Sequence, residues 1–330
     1  MTVPLVSVLL PVYNGATDVS KAVASILTQT YNNIELIAID DGSKDNSFSI
    51  LQSISDNRLR LFRQENTGLA ATLNRGITLA HGRYIARQDQ DDLSHPERLA
   101  KQVAFMEANP ECALLGTAAD IWVGDQSTAR SHDHPTEHGV LCFDLLFNNP
   151  FVHSSVMLRR DAVLTIGSYT TDPSRQPPED YELWSRMARQ YRVANLADRL
   201  LVYREVPQSM SRTGPSPFLD KLVTLCAENL AYANGINPGD SACIDIAALT
   251  HSANHRLSAS PDIDRMCNLV VNAGERIACA FGSPEVLSRA VDRVRILRYQ
   301  YLLLRGRAHL VRPAFRLLRS LGKKLRQCTE

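Results

Sequence analysis

Across the first ~120 residues, short apolar strand-like runs alternate with amphipathic helical ones, and strand starts recur roughly every 25 residues, the spacing of βαβ units. The strands read as Val6–Tyr13, Ile34–Ile39, Arg58–Phe62 and Arg83–Arg87, followed by a longer apolar run at Cys112–Val123. Helical periodicity fills the gaps: Val19, Val23, Ile26 and Leu27 lie on one face of a first helix capped by Thr17 or Asp18, and further helices are expected over Asp45–Ser55, Gly68–Ala80 and Pro96–Ala108. The pattern predicts an α/β fold with a mostly parallel central sheet and flanking helices.

The second half is less regular. Ser127–His138 is polar and reads as a loop, Phe151–Leu158 as a strand, Asp172–Pro178 as a Pro-rich loop and Glu179–Gln190 as a helix. Gly214-Pro215-Ser216-Pro217 is strong linker punctuation, so the expected division is a catalytic domain over 1–213 (halves 1–125 and 126–213) and a helical region over 214–330. From Arg293 to Arg326 eleven Lys and Arg residues, and no acid, interleave with leucines, the composition of an amphipathic helix that contacts an anionic membrane or packs with a solvated basic face.

Composition narrows the classes. A net charge of +1 argues against a general nucleic-acid binder, and seven scattered cysteines without a CxxC read as reduced thiols rather than a zinc site or a disulfide framework. No stretch approaches the ~18 uncharged apolar residues of a membrane span, and no leader is evident, so a cytoplasmic protein, at most peripheral to a membrane, is expected. His132, His134 and His138 lie in the polar stretch without partner cysteines at zinc spacing and are taken as solvated.

Chemistry concentrates at Asp89-Gln90-Asp91-Asp92, just after the strand at Tyr84-Ile85-Ala86. Three carboxylates within four positions repel one another, and such a cluster serves a hard divalent cation, a sugar hydroxyl or both, unless it is only a solvated turn with a helix cap. Its place at the carboxyl end of a parallel strand is where open α/β sheets bind ligands. Flanking Arg83 and Arg87 could offset its charge. The turn after the first strand, Pro11-Val12-Tyr13-Asn14-Gly15, lacks GxGxxG, and no GxxxxGK[ST] occurs, so a bound diphosphate would need a metal where other folds use a Gly-rich loop.

Val6–Gly15, Ile39-Asp40-Asp41-Gly42-Ser43 with Asp45, Glu65-Asn66-Thr67-Gly68-Leu69 and the DxDD cluster together resemble the inverting glycosyltransferases of family 2, which share the GT-A fold. Phe151–Arg160, Gly167-Ser168-Tyr169 and Glu179–Trp184 resemble that family's acceptor half. The resemblance implies a nucleotide-diphosphate sugar donor held by Pro11, Val12, Tyr13, Asp41, Gly68, Asn74, Asp89 and Gln90, with Asp41 facing a uracil or thymine imide and Asp89 near the ribose. It implies manganese or magnesium on Asp91, Asp180 as the base that takes the acceptor's proton, and His153, Glu179 and Trp184 on the acceptor side. The acceptor is expected to be a glycan or lipid-linked hydroxyl in bacterial surface polysaccharide synthesis.

Each of these residues has a plainer reading. Asp41 in an Asp-Gly turn is turn chemistry, Asp180 at a helix start is favourable in its own right, Trp184 and His153 fit a core, and Asp92 fits a helix cap. Leu73 and Arg204-Glu205 depart from the family's usual residues, and the absence of QxxRW points to single addition rather than processive synthesis. The rival functions are a sugar-1-phosphate nucleotidyltransferase, whose basic Gly-rich loop is missing here, and a non-catalytic sugar-nucleotide scaffold, which would be expected to lose carboxylates.

Overall fold

The computed structural model describes residues 3–205 and 218–305. The chain divides into two compact units, the first reaching to Leu222 and the second beginning at Val223. The expected boundary at 213–214 lies outside the described residues, as does the basic segment beyond residue 305.

The first unit alternates as expected through β1 (Val6–Val12), α1 (Val19–Leu27), β2 (Ile34–Asp41), α2 (Ser47–Gln52), β3 (Leu59–Gln64), α3 (Leu69–Leu79), β4 (Tyr84–Arg87), β5 (Leu93–Ser94) and α4 (Arg98–Ala108). It continues with β6 (Cys112–Val123), β7 (Gln126–His132), α5 (His138–Asp144), β8 (Met157–Arg159), α6 (Arg160–Thr165), α7 (Glu179–Ala188) and β9 (Arg192–Glu205). The sheet order is β3-β2-β1-β4-β8-β6-β9-β5, with β7 added on β6. β1 pairs in parallel with β2 and β4, as does β2 with β3 and β6 with β9, while β8, β5 and β7 join antiparallel. The chain reverses direction across the sheet between β1 and β4. That is the topological switch point, where a crevice opens at the carboxyl ends of the strands.

Burial on both faces explains why β1 and β2 read as continuous apolar runs. Val6, Val8, Leu10 and Val12 of β1 share a core with Val19, Ala22, Val23 and Ile26 of α1 and with Leu99, Val103 and Met106 of α4. Leu9 faces the other way, where a Cβ on Gly76 of α3 would lie 3.1 Å from it. The amino ends of the strands are tied by a polar network, in which Ser7 Oγ donates to Glu35 at 2.6 Å while His81 N–H donates to the same carboxylate at 2.7 Å.

Three expectations are corrected. The polar run from Ser127 is not a loop: Gln126–His132 forms the edge strand β7, and a helix begins at His138. An edge strand solvated on both faces carries no apolar alternation for a sequence reading to find. Phe151–Leu158 is not one strand but a 3-10 turn at His153–Ser155 followed by β8, because the Ser155 hydroxyl and amide both return to Val152 O, at 2.8 and 2.9 Å. The histidines are not solvated: His138 is buried and its Nδ1 accepts Val193 N–H at 3.1 Å, burial holding its pKa down to about 4. His132 and His134 stack at 5.7 Å.

The second unit is helical, as expected, with α8 (Phe218–Asn234) running into it and then α9 (Ser241–Thr250), α10 (Ile263–Phe281) and α11 (Glu285–Leu304). Asp240 and Asp262 cap α9 and α10 through hydrogen bonds to Ala242 and Arg265 N–H. No helix among the described residues is long and apolar enough to cross a membrane.

Gly82 marks the closest approach of a glycine to main-chain atoms in the first unit. A Cβ there would lie 2.6 Å from Ser7 N and 2.8 Å from Leu5 O, both main-chain atoms that cannot rotate away. Gly82→Ala is therefore expected to cost about 1–3 kcal/mol or more in urea unfolding. A loss within experimental error would show that β1 and the entry to β4 are not packed this tightly.

Candidate active site

The turn after β1 is built by side chains from elsewhere. Tyr13 N–H donates to Gln90 Oε1 (2.9 Å), Asn14 N–H to Ser43 Oγ (3.0 Å), Gly15 N–H to Ser47 Oγ (2.8 Å) and Ala16 N–H to Asp45 Oδ2 (3.0 Å). Asn14 adopts a positive φ of 50° and accepts Lys44 N–H. Val12 is buried beneath the turn, Pro11 is partly covered, and Tyr13 is 44% exposed at its mouth.

Asp41, at the end of β2, is 4% exposed. Its Oδ1 accepts Gln64 Nε2 (2.7 Å) and Thr67 N–H (2.9 Å), and its Oδ2 accepts Gly68 N–H (3.0 Å). The carboxylate thus organises the turn that starts α3, where Gly68 takes a φ of 87° that favours glycine. Asn74, one turn into α3, spends its amide on main chain: its Nδ2 donates to Tyr169 O at 2.8 Å and its Oδ1 accepts Tyr169 N–H at 3.0 Å. It braces the 167–169 segment.

The acidic cluster follows β4. Asp89 pairs with the buried Arg87 guanidinium, and its N–H donates to Ser154 Oγ at 2.8 Å. Burial and the charge of Asp89 push Asp91 up to about 6, and among the described residues no other residue donates to its carboxylate. Asp92 is 1% exposed; burial, Asp89 and Asp91 push its pKa well up, and its Oδ1 accepts Arg204 N–H at 2.8 Å. The cap reading of Asp92 is corrected, since α4 begins only at Arg98 and Asp92 instead pins β9 to the cluster. Arg83 does not offset the cluster's charge either, because it pairs with Glu107 at 3.0 Å.

Arg204 reaches further with its guanidinium, donating to Asp18 Oδ1 (2.7 Å), Asp125 Oδ1 (2.8 Å), Gly124 O (2.9 Å) and Asp91 O (3.2 Å). Arg98 escaped the sequence reading because it sits in an amphipathic helix pattern as an ordinary charged residue. It is fully buried, donates to Arg87 O (3.0 Å) and Ser154 O (2.6 Å), and is held down to about 9 by burial against the opposing pull of Asp92.

Glu179 and Asp180 open α7. Burial and the Asp180 charge push Glu179 up to about 7, and burial pushes Asp180 up to about 6. Asp180 is oriented by Asn149 Nδ2 (2.8 Å) and Tyr181 N–H (2.7 Å). Asn149 was also missed; as an Asn beside Pro150 it looks like turn chemistry. The charge of Asp89 acts on both Glu179 and Asp180, so the two acidic groups lie within electrostatic reach of each other.

His153 Nε2 lies 2.9 Å from the Tyr169 hydroxyl, and burial with the Arg87 charge holds the imidazole well below its usual pKa. Trp184 has no exposed surface and packs edge-on to His153 and Tyr169, so it supports those two rings from within the core.

The donor set fits a hard cation in part. Asp91 and Asp89 supply oxygens, and Asp91 is held in a costly, unanswered state. Among the described residues no three metal-ligating side chains converge, so a cation here would complete its shell with diphosphate oxygens and water, as magnesium commonly does.

The chain is 34% identical over 228 residues to the putative glycosyltransferase EpsE of Bacillus subtilis (strain 168), covering 67% of this chain and 80% of that one. It belongs to glycosyltransferase family 2. Residues 7–167 match the family description, Glycosyl transferase family 2. An uncharacterised glycosyltransferase of Haemophilus influenzae is 34% identical over 212 residues, 61% of this chain and 65% of the relative. The amylovoran biosynthesis glycosyltransferase AmsE of Erwinia amylovora is 33% identical over 204 residues, 60% of this chain and 75% of AmsE. Among solved structures, S. aureus TarS 1–349 in complex with UDP-GlcNAc superposes with a TM-score of 0.61 at 17% identity, covering 91% of this chain and 92% of that one. The mannosyltransferase PcManGT of Pyrobaculum calidifontis, in complex with GDP-Man and Mn2+, reaches 0.53 at 16% identity, over 92% and 87%. The fold is thus that of the GT-A-like neighbours, and this family 2 chain is a transferase.

A raised carboxyl pKa carries a sign. Glu179 binds its proton more tightly folded than unfolded, so folding is favoured near pH 4 and penalised as pH rises toward about 7. Glu179→Gln is expected to raise the unfolding free energy at pH 8 by on the order of 1–3 kcal/mol, and to flatten stability between pH 4 and 7. An unchanged pH profile would mean that Glu179 is solvated.

Proposed function

We propose that this chain transfers one sugar from a UDP- or dTDP-sugar to a hydroxyl of a glycan or lipid-linked acceptor, with inversion at the anomeric carbon. The observation that carries the reading is that the charge of Asp89, in the donor-side acidic turn, acts on Glu179 and Asp180, the latter an oriented carboxyl poised near neutrality. Asp180 takes the proton of the acceptor hydroxyl as that oxygen attacks the anomeric carbon. The bond to the diphosphate breaks on the opposite face, and the nucleoside diphosphate leaves. A carboxyl with a pKa of about 6 suits this task, since it is ionised at neutral pH yet basic enough to accept a proton. No covalent intermediate is needed.

Asp91, with Asp89 beside it, would hold manganese or magnesium. When bound, the cation supplies Lewis-acid stabilisation of the departing diphosphate's charge. Tyr13, at the mouth of the crevice, and Asp41 lie on the base side, and His153, Glu179 and Asn149 line the acceptor side. TarS is described with UDP-GlcNAc and PcManGT with GDP-Man and Mn2+, which supports a nucleotide sugar and a cation for this chain too. AmsE serves amylovoran biosynthesis and WbnJ of Escherichia coli serves O-antigen biosynthesis, which supports a role in surface polysaccharide formation.

The test is nucleotide binding and turnover with a donor panel. Asp91→Ala is expected to remove the manganese dependence of UDP binding; equal affinities with and without metal in the unaltered protein would sink the cation assignment. Asp180→Asn should bind UDP normally and lose at least ~100-fold in kcat, the low end of a general base's usual contribution. In the unaltered enzyme kcat should fall as pH drops through about 6, because Asp180 must be ionised to act. Turnover that is flat down to pH 5 would rule the base role out.

A peripheral contact with the cytoplasmic membrane face is part of the same reading, supported by the basic, leucine-rich sequence after residue 305. Deleting residues 306–330 should release the protein from vesicles containing phosphatidylserine. Unchanged partitioning would refute that contact.

A further inference from the structure

The acidic turn after β4 is anchored to segments distant in the chain at three points. Ser154 holds Asp89 N–H, Arg204 holds Asp91 O and Asp92 Oδ1, and Gln90 reaches across to the turn after β1. Only the third tie runs to the Tyr13 main chain. Gln90 Oε1 accepts Tyr13 N–H at 2.9 Å while its Nε2 donates to Tyr13 O at 3.1 Å, so both ends of the carboxamide are spent on one residue.

Gly15 bears the imprint of this clasp. Its φ is not positive, so backbone conformation does not call for glycine there. Space does: a Cβ on Gly15 would lie 2.4 Å from Gln90 Oε1 and 2.6 Å from Gln90 Cδ. Gly15 also starts α1, its carbonyl accepting Asp18 and Val19 N–H. The side chain between the two site carboxylates Asp89 and Asp91 is therefore seated over the Tyr13–Gly15 turn.

We propose that Gln90 is a positioning residue that makes nucleoside diphosphate and divalent cation bind cooperatively, by fixing the nucleotide-side turn to the cation-side carboxylates. The inference rests on the functional reading above. A rigid link between two half-sites means that a ligand ordering one half has already ordered the other, which appears as a coupling factor between the two binding events. Gln90 touches neither ligand in this account. Its carboxamide is occupied, and its effect passes through the main chain of Tyr13.

The test uses Gln90→Met, which keeps the side chain's volume and removes both hydrogen bonds. UDP and GDP are titrated calorimetrically with and without Mn2+, and the ratio of the two dissociation constants gives the coupling factor. The factor is expected to fall about fivefold or more in Gln90→Met, with the unfolding temperature close to that of the unaltered protein. An unchanged factor overturns the proposal while leaving the functional reading intact. If the unaltered chain binds no nucleoside diphosphate, the functional reading fails and the proposal fails with it.

A second arm reads the clasp without any ligand. Gly15→Ala should lower the unfolding temperature when Gln90 is present and be tolerated in a Gln90→Ala background. Strictly additive effects would mean that the two residues do not share this space, and would overturn the proposal.

Discussion

Burying a guanidinium costs several kcal/mol unless its charge is answered, and Arg87 at the end of β4 is only 2% exposed. Asp89 and the Gln88 carbonyl answer it directly. Its charge also acts on Asp91 and Glu179, favouring their ionised forms, and on His153, favouring the neutral imidazole. Asp89, Asp91 and Glu179 therefore draw on one cation, while Asp92 and Arg98 act on each other. Burial, reinforced by the charge of neighbouring carboxylates, is why Asp91, Glu179 and Asp180 all hold their protons more tightly than free carboxyls. Charge that a protein leaves uncompensated in a crevice is a feature of a site rather than of a scaffold.

Much of the fold was legible because its first half obeys one rule. Strands buried on both faces read as apolar runs, and the helices between them read at helical period, so β1 to α4 were found nearly in register. What failed were elements whose stability is not written in their own residues. β7 is polar on both faces and exists because β6 offers it an edge. β9 mixes Arg192, Asn195, Asp198 and Arg199 with its apolar residues and drew no notice, yet it pairs with β6 along most of its length. The Phe151–Leu158 run has strand composition, but the Ser155 hydroxyl offers its main chain a competing bond.

The site was legible as chemistry and not as wiring. The cluster of acids after a strand could be singled out from its placement, and the acidic pair at a helix start through the resemblance to family 2. Which oxygen faces which donor could not, because that depends on partners far along the chain. Asp92 is occupied by a residue 112 positions away, and Asn74 is braced against one 95 positions away. Trp184 is a further case: its place one turn after Asp180 fitted acceptor-side packing and a core equally well, and the packing of Phe151, His153 and Tyr169 around it leaves it no exposed surface.

The missing Gly-rich loop now has a structural counterpart. In dinucleotide-binding folds the turn after β1 leaves its amides free for a pyrophosphate. Here four successive amides, Tyr13 to Ala16, are consumed by Gln90, Ser43, Ser47 and Asp45. Those side chains come from β2's following loop and from the acidic turn itself. The turn is thereby rigid but has no donors left for a phosphate. Any diphosphate at this switch point must find its positive charge elsewhere, and Arg87, at the end of β4, is already buried and paired with Asp89. An acidic turn whose Asp91 carboxylate takes no donor from another residue, beside a turn whose four amides are already engaged, supports the proposal that a cation comes in with the ligand, so the acidic cluster and the absent glycines bear on one question.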